Sequence, residues 1–199
     1  MENKGCMSAV IPELGKSSGI VPDSLALNLY RKMLTVFYVE ERMKIFVRQG
    51  KCPFHASTRG HEKFQVAMAL LLKPGHDWFF SYYRSKALAI ALGMPLKDVF
   101  LGMLSREGDP NSNGRNMPEQ FSSRALHLVA QTACTGTQFL PAVGMARAVK
   151  KDGNDQIVWV ASGEGATSEG EFFEALNWAA RERLPVLFGI QNNGYAISV

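Results

Sequence analysis

Residues 156–195 read QIVWVASGEGATSEGEFFEALNWAARERLPVLFGIQNNGY, and this stretch decides the fold. Gln156-Ile157-Val158-Trp159-Val160-Ala161 is an apolar run of the kind found in a strand buried on both faces. Gly163 to Ser168 forms a tight polar turn. Glu169 to Arg183 forms a helix whose buried side is expected to carry Phe172, Phe173, Leu176, Ala179 and Ala180. Leu184 to Ile190 supplies a second strand. Two parallel strands joined through a helix make a βαβ unit, and such a unit belongs to a larger α/β sheet flanked by helices.

Working toward the N-terminus, residues 105–123 hold Gly108-Asp109-Pro110-Asn111-Ser112-Asn113-Gly114 and no apolar period. A loop of that length inside a compact domain is more often functional than idle. Before it, the spacing predicts short helices on either side of Gly93-Met94-Pro95, an extended segment over Asp77 to Ser81, and a helix from His61 to Leu72 closed by Pro74-Gly75. Leu25, Leu29, Met33, Val36, Phe37, Met43, Phe46 and Val47 mark one long helix that starts at Pro22-Asp23-Ser24 and ends at Gly50. Asp23 or Ser24 is expected to cap it. Residues 1–22 read as an N-terminal arm and residues 23–199 as one domain.

Composition narrows the function classes. The chain has 199 residues, 46% of them hydrophobic and 20% charged, with a net charge of +4, an ordinary globular composition. The basic residues are scattered, so no nucleic-acid partner is expected. Cys6, Cys52 and Cys134 form neither a disulfide framework nor a CxxC pair. The opening residues lack a signal-peptide layout, and no run reaches the ~18 apolar residues that span a bilayer. A cytoplasmic chain without membrane association is the expectation.

In an open parallel sheet, ligands bind beyond the carboxyl ends of the strands. Two polar clusters fall there: Ser162-Gly163-Glu164-Gly165-Ala166 and Gln191-Asn192-Asn193-Gly194-Tyr195. Glycines let backbone approach a ligand closely, and the start of the helix that follows Gly165 offers a positive end suited to a phosphate. Glu164 and the Asn side chains bring oxygen ligands, which suit Mg²⁺ held with a diphosphate.

This G-E-G, followed 29 positions after Glu164 by Asn193, resembles the thiamine-diphosphate motif. The wording E-G-x-x-x-E-A-L-N and N-N-G-Y-A-I-S resembles the alpha subunit of the decarboxylating component of 2-oxoacid dehydrogenase complexes, particularly the branched-chain, 2-oxoisovalerate type. Tyr30-Arg31-Lys32-Met33, Gly60-His61-Glu62, Tyr83-Arg84, Gly114-Arg115-Asn116-Met117-Pro118, Thr135-Gly136-Thr137-Gln138 and Pro141-Ala142-Val143-Gly144 extend the likeness over residues 25–199.

The resemblance implies a thiamine-diphosphate-binding fold, with the sheet incomplete at the C-terminus. It implies oxidative decarboxylation of a 2-oxoacid with acyl transfer to lipoamide, alongside a beta subunit and a lipoyl-bearing acyltransferase. The Glu164 and Asn193 side chains and the Tyr195 carbonyl would hold Mg²⁺. Gly163, Gly165, Ala166 and Gln191 would border the diphosphate, with Tyr83 and Arg84 closing over it. Ala133 and Thr135 would meet the aminopyrimidine through backbone atoms. Thr132, Cys134, Thr137 and Gln138 are candidates for K⁺, in a turn shaped by Pro141 to Gly144.

Two departures stand out. Gln120 occupies the register where the branched-chain type has histidine, and Gln carries no proton near neutral pH, so the catalytic residue is left open. The chain also ends soon after the metal motif, whereas family alpha subunits continue, and alone it is expected to be catalytically silent. The alternatives are a pyruvate or acetoin dehydrogenase alpha subunit, and a truncated chain that packs against partners without turnover. Cys52, His55 and His61 lack zinc spacing. Trp78, Phe79, Phe80 and Tyr82 are assigned to core packing, and Glu169, Glu171 and Glu174 to the helix dipole.

Overall fold

The computed structural model describes residues 21–196. All but the last two residues of the expected N-terminal arm, and Cys6 with them, lie outside the described residues. Among these, six α-helices and four strands alternate: α1 (Asp23–Arg48), α2 (Glu62–Leu71), β1 (Trp78–Phe80), α3 (Lys86–Leu92), α4 (Leu96–Met103), β2 (Leu128–Val129), α5 (Phe139–Lys151), β3 (Val158–Gly163), α6 (Gly170–Glu182) and β4 (Val186–Gln191). The strands form one parallel sheet in the order β2-β1-β3-β4. No described helix is long and apolar enough to cross a membrane.

Alternation along the strands divides the core in two. Phe79, Trp159 and Ala161 face α1 to α4, packing on Val36, Met43, Val66, Leu88 and Met103. Phe80, Val158 and Val160 face α5 and α6, packing on Phe139, Val143, Ala146, Ala175 and Ala179. Strand β3 is therefore buried on both sides, as its unbroken apolar run predicts. Strand β4 lies at the sheet edge, and Leu187 keeps 44% of its surface exposed.

Several local expectations are corrected. Neither Asp23 nor Ser24 caps α1; Pro22 is the N-cap residue, and Asp23 already lies in the first turn, where its charge favours the dipole. On α6 the buried stripe is Ala175 and Ala179 with Phe172 beside it, while Phe173 is 62% exposed and Leu176 and Ala180 also face outward. Phe172, Ala175 and Ala179 follow the three- and four-residue helical step, and Phe173 stands one residue, about 100°, off that line. Strand β3 runs on through Ser162-Gly163 instead of stopping at Ala161. Residues 139–151 are a helix that apolar periodicity did not single out, and Pro141 to Gly144 lie on it rather than in a turn. Pro141 is tolerated because it falls in the first turn, where its missing N–H has no intrahelical partner to lose.

Two contacts fix how the strands meet. The Asp77 carboxylate, buried in the turn before β1, accepts from Lys73 N at 2.7 Å and from Ile157 N at 2.8 Å, tying the starts of β1 and β3. Gly189 in β4 lies under the fully buried Trp159 indole, and a Cβ there would come within 2.8 Å of Nε1. Gly189→Ala is expected to destabilise the protein by about 1–3 kcal/mol through overpacking. Asp77→Ala is expected to cost about 1–3 kcal/mol by stranding two amides. Urea unfolding of both variants checks these values, and a midpoint equal to wild type in either would contradict the contact concerned.

Candidate functional site

The strand order sets where a ligand could bind. From β1 the chain crosses to β2 through α3 and α4 on one face; from β3 it crosses to β4 through α6 on the other. Connections therefore leave in opposite directions between β1 and β3, and a crevice opens beyond the carboxyl ends of strands at such a point. Ser81-Tyr82-Tyr83-Arg84 follows β1 there, and Glu164-Gly165-Ala166 follows β3. The β3–β4 register ends with Gly163 opposite Gln191, which brings the two polar clusters to one level.

Glu164 organises that edge. Its carboxylate accepts from Asn193 N at 3.2 Å and from Tyr195 N at 3.0 Å, and the Asn193 side-chain oxygen accepts from the same Tyr195 N at 2.8 Å. Glu164, Asn193 and Tyr195 are thus brought together as the sequence predicts. Backbone N–H groups, its own first and then those of Asn193, Tyr195 and Gly194, hold the Glu164 carboxyl below its ordinary value of 4.5. A 3-10 turn, Glu164–Ser168, separates this corner from α6, which begins only at Gly170. The main-chain groups closest to the corner are consequently those of Gly165 and Ala166. Gly165 packs under Ala196, with 3.3 Å between its virtual Cβ and that methyl.

Around β1 the polar residues form a second wall. Arg84 donates to the Ser57 carbonyl at 2.9 Å and lies over the Tyr83 ring at 5.2 Å. Gln65 of α2 ties this wall to β4: its amide nitrogen donates to the Arg84 carbonyl and to Gln191 Oε1, both at 2.8 Å, and its oxygen accepts from Leu88 N at 3.0 Å. Tyr82, assigned from sequence to core packing, is buried, but its hydroxyl has no partner among the described residues. Burial pushes that hydroxyl well up from its ordinary pKa. The Gln191 amide nitrogen is likewise buried and unpartnered among the described residues. A Cβ at Gly163 would stand 3.9 Å from the Tyr82 ring and 4.0 Å from the Gln191 carbonyl, so the chain's own packing does not require a glycine there. Having none of that side chain, Gly163 leaves the volume between them open.

The third wall is the segment before α5. Thr132 Oγ1 and Thr137 Oγ1 lie 2.7 Å apart, and both bond the Cys134 carbonyl, at 3.0 and 2.9 Å. Gln138 is drawn away from this trio, its amide nitrogen donating to Ala161 O at 2.9 Å. Ala133 and Thr135 are exposed on the same loop. At Gly136, with φ +90°, a Cβ would meet Glu169 Cγ at 2.9 Å, so the loop abuts the start of α6. Gln131, just before it, is buried with both side-chain amide atoms unpartnered among the described residues.

Gln120 is buried beside Glu119 in the loop of residues 105–123. Cys52 and His55 do not form a metal set: Cys52 Sγ donates to Phe54 O and Met103 O, and His55 lies between Glu40 and Glu119. Among the described residues no three His, Cys, Asp or Glu side chains are grouped to hold a metal ion. A cation at Glu164 would therefore rest on one carboxylate and on amide and carbonyl oxygens. Sequence reasoning missed Tyr82, Gln65, Gln131 and Ser57. The available signal was a polar residue at the end of an apolar run or on a buried helix face.

Comparison with known proteins places the chain. Residues 30–199 match the family Dehydrogenase E1 component. The chain is 39% identical over 177 residues to the 2-oxoisovalerate dehydrogenase subunit alpha of Bacillus subtilis (strain 168), covering 89% of this chain and 54% of that one. It is 34% identical over 178 residues to the 2-oxoisovalerate dehydrogenase subunit alpha 2, mitochondrial, of Arabidopsis thaliana, covering 89% and 37%. It is 31% identical over 202 residues to the pyruvate dehydrogenase E1 component subunit alpha of Staphylococcus aureus (strain Mu50 / ATCC 700699), covering 99% and 52%. The chain thus spans between 37% and 54% of the length of these three relatives. With the G-E-G and N-N clusters joined at the ends of adjacent parallel strands, and the family match running through both, this chain belongs to the dehydrogenase E1 component family.

Proposed function

We propose that this chain serves as alpha subunit in the oxidative decarboxylation of a branched-chain 2-oxoacid of the 2-oxoisovalerate class, with acyl transfer to lipoamide. It would bind thiamine diphosphate and Mg²⁺ and work in the cytoplasm with a beta subunit and a lipoyl-bearing acyltransferase. One observation carries the reading: the Glu164 carboxylate is bonded to the Asn193 and Tyr195 amides at the head of two adjacent parallel strands. The residues present fit the cofactor. Carboxylate and amide oxygens are the hard ligands Mg²⁺ takes. The unpartnered Tyr82 hydroxyl and Gln191 amide, and the open volume at Gly163, are what a polar ligand bound there would use.

Thiamine diphosphate, when bound, supplies the carbanion chemistry, and the protein supplies anchorage and orientation. Glu164, Asn193 and the Tyr195 carbonyl would hold the metal. Gly165 and Ala166 would present backbone to the diphosphate, bordered by Gly163 and Gln191. Tyr83 and Arg84 would close over it, with the guanidinium already oriented by the Ser57 carbonyl. Ala133 and Thr135 would face the pyrimidine. Thr132, Thr137, the Cys134 carbonyl and Gln138, whose amide nitrogen is bonded to β3, are the groups that would hold K⁺. Gln120 can orient a substrate through its amide but cannot transfer a proton near neutral pH. Turnover is therefore assigned to the assembly with the beta subunit, and the chain purified without it is expected to be silent. A pyruvate dehydrogenase alpha role is the second reading, favoured by the relative that covers 99% of this chain.

Calorimetric titration of thiamine diphosphate into the protein with its beta subunit tests the cofactor, and acceptor reduction with 2-oxoisovalerate against pyruvate tests the substrate. Glu164→Ala is expected to weaken Mg²⁺-dependent binding more than about 100-fold; unchanged binding would refute the assignment. The low Glu164 pKa carries a second expectation. The metal needs the carboxylate ionised, so binding should persist as pH falls through 4.5 and fail only below it. A wild-type advantage over Glu164→Ala that is already lost at or above pH 4.5 would contradict the role given to the Asn193 and Tyr195 amides.

A further inference from the structure

Beneath the Arg84 wall lies a cluster of four ionisable side chains that the reading above does not use. Glu40, Glu119 and Lys86 have no solvent-exposed side-chain surface, and His55 has almost none. His55 Nε2 is 2.9 Å from Glu40 Oε2, and its Nδ1 is 2.7 Å from Glu119 Oε1. Lys86 Nζ reaches Glu40 Oε1 at 2.9 Å, Glu119 Oε1 at 3.0 Å, His55 Nδ1 at 3.2 Å and Ala56 O at 3.3 Å. Ala56 N donates to Glu119 Oε2 at 2.6 Å. The four groups come from α1, the 52–58 segment, α3 and the loop of residues 105–123.

The two shortest contacts of the His55 ring, 2.7 Å from Nδ1 and 2.9 Å from Nε2, are to carboxylate oxygens and favour donation by both nitrogens over acceptance from Lys86 Nζ at 3.2 Å. A neutral imidazole has one N–H and one lone pair, and here each nitrogen faces a carboxylate oxygen. A neutral ring would set a lone pair against one of them. Charge leads to the same result: with His55 protonated, two cations balance two anions, whereas a neutral ring would leave a net negative charge buried. Burial and the neighbouring Lys86 charge work against the charged ring, yet the bonds to Glu119 and Glu40 outweigh them and raise His55 above its ordinary 6.5. Burial likewise opposes ionised Glu40, and the bond from His55 with the charge of Lys86 overrides it, holding that carboxyl at about 2.

Two links lead from the cluster to the cofactor site. Glu40 Oε2 accepts from Ser57 Oγ at 2.7 Å, Glu40 Oε1 accepts from Thr58 N at 3.1 Å, and the Ser57 carbonyl holds Arg84 at 2.9 Å. Glu119 directly precedes Gln120 and has φ +67°, a left-handed conformation uncommon outside glycine. Its three donors keep it there.

We propose that charged His55, bridging Glu40 and Glu119, is a positioning residue of the cofactor site: it fixes Arg84 through Ser57, and the Gln120 loop through Glu119. The inference rests on the thiamine-diphosphate reading, since Arg84 is its output. The charged ring is present below the ordinary imidazole value of 6.5 and is lost as pH rises through the raised His55 value, so cofactor affinity should fall over that interval. Exposed groups on α1 and the 52–58 segment, such as Glu41 and Arg59, pair with each other at the surface and do not face the ring.

The test uses the full protein with its partner subunit. Nitrogen-15 labelling of the four histidines, with His55 assigned by substitution, should show both His55 ring nitrogens protonated in cofactor-free protein at about pH 6.5, where an ordinary imidazole is already half neutral. By calorimetry with thiamine diphosphate and Mg²⁺, His55→Gln should bind about tenfold more weakly, and its affinity should lose the alkaline fall seen in wild type. Ser57→Ala leaves all four charges in place and removes only the hydroxyl bonded to Glu40; measured where the variant is folded, it should weaken binding roughly three- to tenfold, so it carries the affinity test if His55→Gln does not fold. A neutral His55 ring overturns the proposal. So does wild-type affinity in Ser57→Ala, which would leave the cofactor reading standing. Wild-type protein that binds no thiamine diphosphate overturns both.

Discussion

Val158, Trp159, Val160 and Ala161 have no solvent-exposed surface, and a strand covered on both faces is stable only where helices supply a surface to each. That constraint places the rest of the molecule. Trp159 and Ala161 need α1 to α4, and Val158 and Val160 need α5 and α6. Burying a valine side chain is worth about 1.5–3 kcal/mol, so coverage on both sides is strongly favoured. A strand enclosed in this way meets water only at its ends. The carboxyl end of β3 is where the chain breaks into Glu164-Gly165, and polar function is confined to that edge.

The charged groups on the two sides of that edge behave oppositely. Glu164 is held by main-chain N–H groups, which stabilise the anion while leaving it accessible to a cation. Glu40 and Glu119 are wholly enclosed and survive as anions only because Lys86 and His55 are enclosed with them. Burying four charges is a poor way to gain stability, since packed apolar side chains would do as well or better. What such a cluster supplies is fixed direction: each carboxylate oxygen has a designated donor, and four segments distant in sequence meet at one point.

Sequence alone carried the βαβ unit, the long first helix and the pairing of Glu164 with Asn193, because these rest on local signals: an apolar run, a helical period, a glycine pair. Strand β2 was not legible because two residues, Leu128-Val129, are too few to show a period. Helix α5 was missed because the family likeness puts Pro141 to Gly144 in a turn, although the first turn of a helix tolerates proline. The face of α6 was misjudged because Phe173 and Leu176 are apolar yet exposed beside the edge strand. In the candidate site, the meeting of the two polar clusters was legible and the contacts that support them were not. Gln65, Ser57, Lys86 and Glu40 act through contacts made across 17 to 126 positions of sequence, and no local pattern encodes such contacts.

The loop of residues 105–123 joins these points. It has no strand or helix of its own, and main-chain turns such as Asp109 N to Arg106 O and Arg115 N to Ser112 O are supplemented by side-chain bonds. Asp109, buried, accepts from Asn111 N at 3.0 Å, Asn111 Nδ2 at 2.6 Å and Ser112 N at 3.3 Å. Asn111 then takes Ser122 N on its side-chain oxygen and the Ser122 hydroxyl on its carbonyl, closing the loop on itself. Glu119 and Phe121 anchor the far end by burial. A strand shares its order among many equivalent bonds, whereas this loop depends on a few specific ones. The left-handed backbone at Glu119 costs roughly 1–2 kcal/mol, and it persists because breaking it would also strand the His55 and Lys86 charges. Asp, Asn and Ser without an apolar period are therefore the composition expected of a long segment held in one conformation, since each can bond backbone directly.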